Sequence, residues 1–272
     1  MLVALDEFGN RRIASRTVKE NGPFCCPLCK ESVVLKKGKI KQHHYSHAPG
    51  CDCDWGVGES DLHRKVKYEL YDLFSVCHYI SECEVEKQMD GVCPDVSFVY
   101  EKNHIAIEVQ KSNIDIDEIA RRNLQYTKLG YYVLWISPYK KDDIKTFFHW
   151  INSYENDGGY NLEVYRPKQF EIYLHALYFG KIYLYQYGPF VTACHFNKIE
   201  QYVPYREWYS EDVGEMIAGG YSRILKSMKN LTFKDNLHIT SQFEGRKRNG
   251  WSSKNWTIPR CNLWIDELGK WW

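Results

Sequence analysis

The sequence predicts an α/β protein in which helices pack against a mixed β-sheet. Helical and strand patterns alternate between residues 59 and 138 in the order α-β-β-β-α-β. The helix that joins the third and fourth strands is expected to make a right-handed crossover. An apolar content of 44% and an aromatic content of 15% are typical of a folded chain with a substantial core. The 272 residues suffice for one large domain or for two to three smaller ones.

The first predicted helix begins at Ser60 or Asp61, since either side chain can cap its N-terminus, and it continues to about Cys77. Apolar side chains recur along one face of this helix at helical spacing, as expected for packing against a sheet. These positions are Leu62, Val66, Leu70, Leu73 and Phe74. Residues 79–88 then have the pattern of a strand, and Met89-Asp90-Gly91 has that of a turn.

A β-hairpin is predicted next from two short runs of β-branched and aromatic residues. The runs cover residues 96–100 and 104–109, and the polar segment 101–103 forms the turn between them. Asp95 opens the first arm and Glu108 lies near the end of the second, so the two carboxylates can converge across the antiparallel pair. Converging carboxylates bind a hard divalent cation, which can polarise a phosphate and activate water. The alternative is an ordinary turn residue and a carboxylate on a solvated strand face.

Residues 115–128 are predicted to form the second helix, with acidic residues in its first turns and Gly130 after its end. Residues 131–137 read YYVLWIS, a continuous apolar run suited to a buried strand, and Pro138 ends it. A further amphipathic helix is expected over residues 141–154.

Three regions are predicted along the chain. Residues 1–57 form an N-terminal module around clustered cysteines, residues 58–157 form the α/β core, and residues 158–272 form an aromatic-rich C-terminal region. Within the last region, strands are expected at residues 181–187 and 190–196.

Composition places the protein in a reducing compartment. The formal net charge is only +1, so a basic surface for nucleic acid has to be local. No apolar stretch approaches about 18 residues and no signal peptide is visible, so a cytoplasmic protein without a transmembrane helix is expected. Ten cysteines in such a chain argue against a disulfide framework. Half of them cluster in the first fifth of the chain, which suggests a metal: Cys25, Cys26, Cys29, Cys51 and Cys53.

A structural Zn²⁺ site is predicted in this cluster. Cys26-Pro-Leu-Cys29 places two thiolates on one tight turn, and His44-Tyr-Ser-His47 offers two imidazoles from a second. Four such ligands satisfy tetrahedral Zn²⁺, and the hairpin pattern between them favours a zinc-ribbon-like knuckle. The identity of the four ligands stays open, because neighbouring residues could replace one of them. These are Cys25, His43, Cys51 and Cys53.

Lysines follow one another in the predicted hairpin between the two ligand pairs. Lys36, Lys37, Lys39 and Lys41 fall within six residues, and Lys39 and Lys41 are candidate contacts to DNA phosphates. A solvated strand face is the alternative for so short a run.

Several motifs then follow one another in a specific order. The order begins with CPLC and KIKQHHYSH, continues with GESDLHRKVKYEL at the first helix, and ends with PDVSF, IAIEVQKS, RRNLQY and YYVLWIS. In this order and spacing, the chain resembles the competence protein CoiA-like family, a branch of the PD-(D/E)xK nuclease superfamily, over about residues 20–140. A weaker similarity continues in FEIYLHALYFGKIYLYQYG. The resemblance implies a restriction-endonuclease-like core with the α-β-β-β-α-β order.

The resemblance also implies a catalytic site. Asp95, Glu108 and the backbone carbonyl of Val109 would hold a catalytic Mg²⁺ or Mn²⁺. Gln110 stands where the superfamily has lysine. A glutamine amide cannot act as a cation, although it can orient a water molecule or a phosphate. Lys111 is expected to point to the other face of the strand.

The two helices are expected to contribute further residues. Glu59 and His63 lie one turn apart at the start of the first helix, where Glu59 could complete the metal site and His63 could orient water or bind a phosphate. The alternative is a helix-dipole interaction and a half-buried histidine. Arg122 and Tyr126 match the family's R-x-x-x-Y, and they would either contact DNA or brace the second helix against the sheet.

The main functional hypothesis is a Mg²⁺- or Mn²⁺-dependent nuclease acting on incoming or foreign DNA, single- or double-stranded. Its setting would be natural competence and recombination or anti-phage defence, with a recombination or defence protein as a candidate partner and no membrane. The first alternative is a DNA-binding or recombination-accessory protein that keeps the nuclease fold without cutting, since Gln110 replaces the lysine. The second is a zinc-ribbon interaction module joined to an unrelated α/β domain.

Overall fold

The computed structural model describes residues 1–53, 55–56, 58–153, 156–186, 188–253 and 255–269, with side chains described outside residues 147–160. Short strands form an N-terminal sheet before the first helix. They are β1 (Val3–Leu5), β2 (Arg11–Ile13), β3 (Phe24–Cys25), β4 (Ser32–Lys36) and β5 (His44–His47). Their spatial order is β2-β1-β3-β4-β5. Strand β4 alternates exposed and buried residues, and its buried Val33 and Leu35 pack in one cluster with Tyr45 of β5.

The middle of the chain contains two helices and four strands in the predicted α-β-β-β-α-β order. They are α1 (Asp61–Ser75), β6 (Ile80–Val85), β7 (Val96–Tyr100), β8 (Asn103–Val109), α2 (Ile116–Lys128) and β9 (Tyr131–Pro138). Strands β6, β7 and β8 pair antiparallel, whereas β9 runs parallel to β8 after the crossover through α2.

Local sequence explains where these elements begin and turn. Ser60 caps α1, because its hydroxyl oxygen accepts a hydrogen bond of 3.2 Å from the backbone amide three residues later. The β7–β8 turn consists of Glu101 and Lys102, both with positive φ (46° and 67°), as a two-residue hairpin turn of this twist requires. Helix α1 packs on the sheet through Phe74, whose ring centroid lies 4.2 Å from that of Phe98.

The C-terminal part adds one helix and further strands. They are β10 (Lys145–Ser153), β11 (Asn156–Val164), α3 (Gln169–Leu177), β12 (Ile182–Tyr185), β13 (Phe190–Val203), β14 (Arg206–Ser210), β15 (Gly214–Ala218), β16 (Tyr221–His238), β17 (Phe243–Arg248), β18 (Trp251–Ser252), β19 (Thr257–Ile258) and β20 (Cys261–Asp266). The strands predicted at residues 181–187 and 190–196 correspond to β12 and β13, although residue 187 lies outside the described residues.

Nine strands of the described chain form one mixed sheet. Its main path is β16-β13-β12-β9-β8-β7-β6, while β20 pairs with β9 and β17 pairs with β20. Both β12 and β20 run parallel to β9. The C-terminal strands therefore extend the sheet that carries the β7–β8 hairpin, and the fully buried side chains of Trp135 and Trp264 lie in the shared core.

The prediction of a helix over residues 141–154 is wrong. Lys141–Asp143 forms a short 3-10 helix and Lys145–Ser153 forms strand β10, while residue 154 lies outside the described residues. The segment TFFHWI is rich in aromatic and β-branched residues, which favour a strand. Strand β10 also has a partner along its whole length, since it pairs antiparallel with β11.

The predicted division into residues 1–57, 58–157 and 158–272 stays a prediction about folding units. Residue 57 and residues 270–272 lie outside the described residues, and the second boundary falls within β11. In the parts of the chain that are described, no helix is both long and apolar enough to cross a membrane.

Candidate functional site

Asp95 lies at the start of β7, beside the end of β8 and against α1. Its Oδ2 accepts a hydrogen bond of 2.8 Å from the amide of Val109 and lies 3.0 Å from Nε2 of His63. Burial alone would raise the pKa of Asp95, but the charges of His63 and Lys67 and these hydrogen bonds hold it below its usual value. Asp95 is therefore a buried carboxylate that stays ionised.

Lys67 of α1 is a buried cation beside Asp95, and the sequence analysis missed it. Its Nζ contacts Oε1 of Glu59, Oε1 of Glu86 at 2.6 Å and Oδ1 of Asp95 at 3.3 Å. Burial alone would lower the pKa of Lys67, but the three carboxylates raise it well above its usual value, so the ammonium stays charged. The sequence signal for Lys67 is its position one helical turn after His63, a spacing that ordinary surface residues share.

Glu86 connects the N-terminal sheet to this cluster. Its Oε2 accepts hydrogen bonds from the amides of Leu2 and Val3 at 2.7 and 3.2 Å, while its Oε1 contacts Lys67. A buried carboxylate needs such partners, because an unpaired one loses its hydration without compensation. Strand β1 therefore packs directly behind the lysine and helps to fix its position.

Glu59, His63 and Asp95 form one of two groups in the described residues that could hold a metal ion. Each offers one ligand atom, and the three atoms lie within 4.8 Å of one another. Burial alone would raise the pKa of Glu59, but Lys67 and further positive charges lower it to about 2. Two ionised carboxylates and an imidazole suit Mn²⁺, and the oxygens also suit Mg²⁺. The donor set therefore fits the predicted ion, with Glu59 and His63 as partners of Asp95.

Glu108 points toward α2, which holds both of its carboxylate oxygens. Its Oε1 accepts a hydrogen bond of 2.5 Å from the hydroxyl of Tyr126, and its Oε2 accepts one of 3.2 Å from Arg122. Burial raises the pKa of Glu108 to about 7, and the charge of Asp95 adds to this although Arg122 opposes it. The metal-ligand group does not include Glu108, so its role as a ligand, like that of the Val109 carbonyl, stays a prediction.

The two residues predicted to contact DNA from α2 differ in exposure. Tyr126 is fully buried, so of its two predicted roles the structure fits the bracing of α2 against the sheet. Arg122 lines the pocket at the site and also pairs with Glu118 at 2.8 Å. A DNA contact by Arg122 stays a prediction.

An open pocket of about 320 Å³ gives access to the cluster. The site residues that line it are Glu59, His63, Lys67, Asp95, Gln110 and Arg122. Gln110 donates from Nε2 to the carbonyl oxygen of Ser112 at 2.7 Å, and its predicted role toward water or phosphate stays a prediction. Lys111 pairs instead with Asp143 at 2.6 Å, in line with its expected position on the other face of the strand.

The second group of potential metal ligands lies in the N-terminal sheet. Cys26, Cys29, His47 and Cys53 each offer a ligand atom within 4.8 Å of the others. The Sγ atom of Cys29 lies 3.3 Å from Nε2 of His47. Three thiolates and one imidazole fit tetrahedral Zn²⁺. Cys53, one of the alternatives that the sequence left open, takes the place predicted for His44.

Strand geometry excludes His44 from this group. His44 and His47 lie three residues apart on β5, and such side chains point to opposite faces of a strand. Nδ1 of His44 instead lies 2.8 Å from the carbonyl oxygen of Gln42. The H-x-x-H spacing brings two imidazoles together on a helix, but not on a strand.

Two family models match the chain. The model described as competence protein CoiA, nuclease-like domain, matches residues 59–205, and the model described as competence protein CoiA, N-terminal domain, matches residues 8–56. The α/β core with its carboxylate pocket is therefore a nuclease-like domain. The chain belongs to the CoiA family, as its motifs indicated. Searches of curated proteins and of solved structures find no match.

Proposed function

We propose that the protein is a Mg²⁺- or Mn²⁺-dependent deoxyribonuclease that hydrolyses phosphodiester bonds. The supporting observation is the convergence of Asp95, Glu59 and His63 with the charged Lys67 at an open pocket. Titratable groups that meet in a cleft with shifted pKa values are typical of catalytic sites. The match to a nuclease-like domain supports the same chemistry.

The proposal includes a restriction-endonuclease-like core. The α-β-β-β-α-β order and the parallel β8–β9 pair after the α2 crossover support it. In such a core, the first helix and the β7–β8 hairpin carry the site. These are the elements that bring Lys67 and Asp95 together.

Each residue of the site has a defined part in the proposed reaction. Asp95 and Glu59 would hold the cation through carboxylate oxygens, and His63 would complete the donor set. When bound, the divalent ion lowers the pKa of its water and stabilises negative charge on the phosphate. Lys67 fixes Asp95 and supplies a positive charge next to it. Gln110, at the motif position where the superfamily has lysine, cannot supply such a charge because its amide is neutral.

DNA entering the cell is the proposed substrate. The family description names a competence protein, which supports incoming DNA, and defence against foreign DNA would need the same cleavage. A recombination or defence protein remains a candidate partner.

One observation favours a second function, a DNA-binding protein that does not cut. Tyr126 and Arg122 hold both oxygens of Glu108, and the pKa of Glu108 is raised to about 7. With Gln110 uncharged, the motif strand then offers neither a free carboxylate nor a lysine. Binding without cleavage would leave the site residues in a purely structural role.

The test is an incubation of the zinc-loaded protein with linear and circular, single- and double-stranded DNA. Mg²⁺ or Mn²⁺ is added, and the metal-free control omits divalent ions instead of adding EDTA, which would also strip Zn²⁺ from a thiolate site. Metal-dependent products support the nuclease, and their loss in Glu108→Ala would assign Glu108 to the chemistry. A gel shift without products under either ion would contradict the nuclease and establish the second function.

A further inference from the structure

A groove lined by lysines lies on the N-terminal sheet, outside the site described above. Its volume is about 680 Å³, and none of the described residues that line it is acidic. Lys37 donates to the carbonyl oxygen of Thr17 at 2.9 Å, whereas Lys36, Lys39 and Lys41 are exposed and form no ion pair within the described chain. The lysines of this surface, the basic groove, are Lys19, Lys36, Lys37, Lys39 and Lys41. Five cations without a carboxylate among them attract a polyanion.

Apolar side chains are interleaved with these lysines. Ile40, between Lys39 and Lys41, is 95% exposed, and Val34 of β4 is 52% exposed. Covering a fully exposed isoleucine gains about 1.5–3 kcal/mol. A ligand that fits the basic groove therefore presents negative charges and flat apolar surface close together, as phosphates and bases do. Proteins that deform nucleic acids insert Ile and similar side chains between base steps.

The basic groove is attached to the helix that carries the carboxylate site. The amide of Gln42 donates to Oδ1 of Asp61 at 2.9 Å, and the hydroxyl of Tyr68 donates to the carbonyl oxygen of His43 at 2.7 Å. Asp61 and Tyr68 share one face of α1, whereas His63 is not on that face. The groove and the site thus contact different faces of the same helix.

We propose that the basic groove binds the DNA whose backbone is cleaved at Asp95, with its lysines on the phosphates and Ile40 against the bases. This inference rests on the proposed function for the identity of the ligand. Charge selects a polyanion, the exposed Ile40 adds an apolar contact that the bases of DNA can cover, and the shared helix connects the groove to the element that carries the site. An acidic protein with apolar side chains is the competing ligand, and the tests below distinguish it from DNA.

The first test measures DNA binding by the zinc-loaded full chain in the absence of Mg²⁺ and Mn²⁺. Fluorescence anisotropy gives the Kd over a range of salt concentrations. The Lys39→Gln/Lys41→Gln variant is compared with Lys198→Gln/Lys226→Gln, which removes two exposed lysines elsewhere. Loss of two phosphate contacts should raise the Kd ~10-fold and reduce the slope of log K against log salt by about 1.8 for double-stranded DNA or about 1.4 for single-stranded DNA. The control variant should match the wild type.

The second test examines Ile40 with DNA that carries 2-aminopurine, whose fluorescence rises when it unstacks. Wild-type protein and Ile40→Leu should raise the signal, whereas Ile40→Ser should not. The salt slope should be the same for all three proteins, because Ile40 carries no charge.

Each outcome decides the inference separately from the proposed function. Unchanged binding in Lys39→Gln/Lys41→Gln would overturn it, and so would competition by polyglutamate as strong as that by DNA of equal charge, which would indicate an acidic protein partner. A 2-aminopurine signal in Ile40→Ser equal to that of the wild type would show that Ile40 does not contact the bases. If no metal supports cleavage but the lysine variant loses DNA binding, the nuclease proposal fails and the basic groove stands.

Discussion

The two candidate metal centres of this protein are built in opposite ways. Cys26, Cys29, His47 and Cys53 supply four nitrogen and sulfur ligands, a complete tetrahedral set for Zn²⁺. The group around Asp95 supplies three ligands, two of them oxygens, and opens to a pocket. A closed set stabilises a fold, whereas an incomplete set leaves coordination positions for water and substrate. This difference supports our proposal that the cysteine centre is structural and that the carboxylate centre carries the chemistry.

The two centres also differ in how their charge is balanced. The carboxylates of Glu59, Glu86 and Asp95 surround the ammonium of Lys67, whose charge holds them close together and lowers the pKa of Glu59 and of Asp95. A lysine of this kind holds the ligands in position whether or not an ion is bound. The thiolates of a zinc site are neutralised by the ion itself, so assembly of the cysteine centre is expected to depend on Zn²⁺.

The first substitution removes a ligand of the candidate cysteine centre. Cys53→Ser removes a predicted fourth ligand, whereas His44→Gln changes the residue that strand geometry excludes. Loss of an outer-shell partner already weakens metal affinity ~10- to 100-fold, so Cys53→Ser should weaken Zn²⁺ affinity by more than about 100-fold. His44→Gln should keep wild-type affinity.

Zinc content and competition with a chromophoric chelator measure this difference. The reverse result, with zinc lost in His44→Gln and kept in Cys53→Ser, would restore the ligand set expected from the H-x-x-H motif.

The second substitution tests whether Lys67 holds the carboxylates of the site in their ionised form. Lys67→Met leaves three converging carboxylates without their cation, and breaking a buried ion pair costs about 3–5 kcal/mol. The pKa values of Asp95 and Glu59 should rise, so the acid limb of the kcat/KM profile for cleavage should move to higher pH. Lys65 lies on the same helix and forms a surface ion pair with Glu69 at 3.8 Å. The control substitution Lys65→Met should therefore lower the free energy of unfolding by less than about 1 kcal/mol.

Denaturant unfolding and pH–rate profiles separate the two contributions of Lys67. A variant that is destabilised but keeps the wild-type acid limb would reduce Lys67 to a purely structural residue.

The smallest expected effect concerns Glu108 and the pH dependence of stability. The folded protein keeps the proton of Glu108 up to about pH 7, whereas the unfolded chain releases it near the ordinary value of 4.5. The free energy of unfolding should therefore fall as the pH rises through this window. Glu108→Gln mimics the protonated acid, so the variant should gain roughly 2–3 kcal/mol relative to wild type between pH 5 and pH 8.

Chemical denaturation at three pH values measures this gain. The raised pKa of His63 also makes the free energy of unfolding fall as the pH rises. Because the charge of His63 lowers the pKa of Glu108, only the part of the His63 contribution that is independent of Glu108 cancels in the difference. A difference independent of pH would mean that Glu108 is ionised in the folded protein.

Sequence periodicity predicted the elements that carry the site. The cap at Ser60, the β7–β8 hairpin and the apolar run of β9 have short, local causes, and each lies where it was expected. Strand β10 was mistaken for a helix because aromatic residues fit both patterns. Its pairing with β11 was overlooked, although β11 begins only three residues after β10 ends.

Lys67, which the sequence analysis missed, and Cys53, which it left open as an alternative ligand, depend on contacts between distant segments. Lys67 matters because Glu59, Glu86 and Asp95 meet it in space, and Cys53 because it lies beside Cys26, 27 residues earlier. Spacing motifs describe one turn or one helix at a time. They cannot show which of several nearby cysteines completes a tetrahedron.

We propose that the Asp95 centre, and not the cysteine centre, carries out metal-dependent cleavage. The most direct measurement compares single-turnover DNA cleavage by wild type and Asp95→Asn in Mn²⁺, with zinc content and DNA affinity determined for both. We expect a loss of cleavage of at least ~1,000-fold in Asp95→Asn, with zinc content and DNA affinity unchanged. Wild-type cleavage by Asp95→Asn would contradict it.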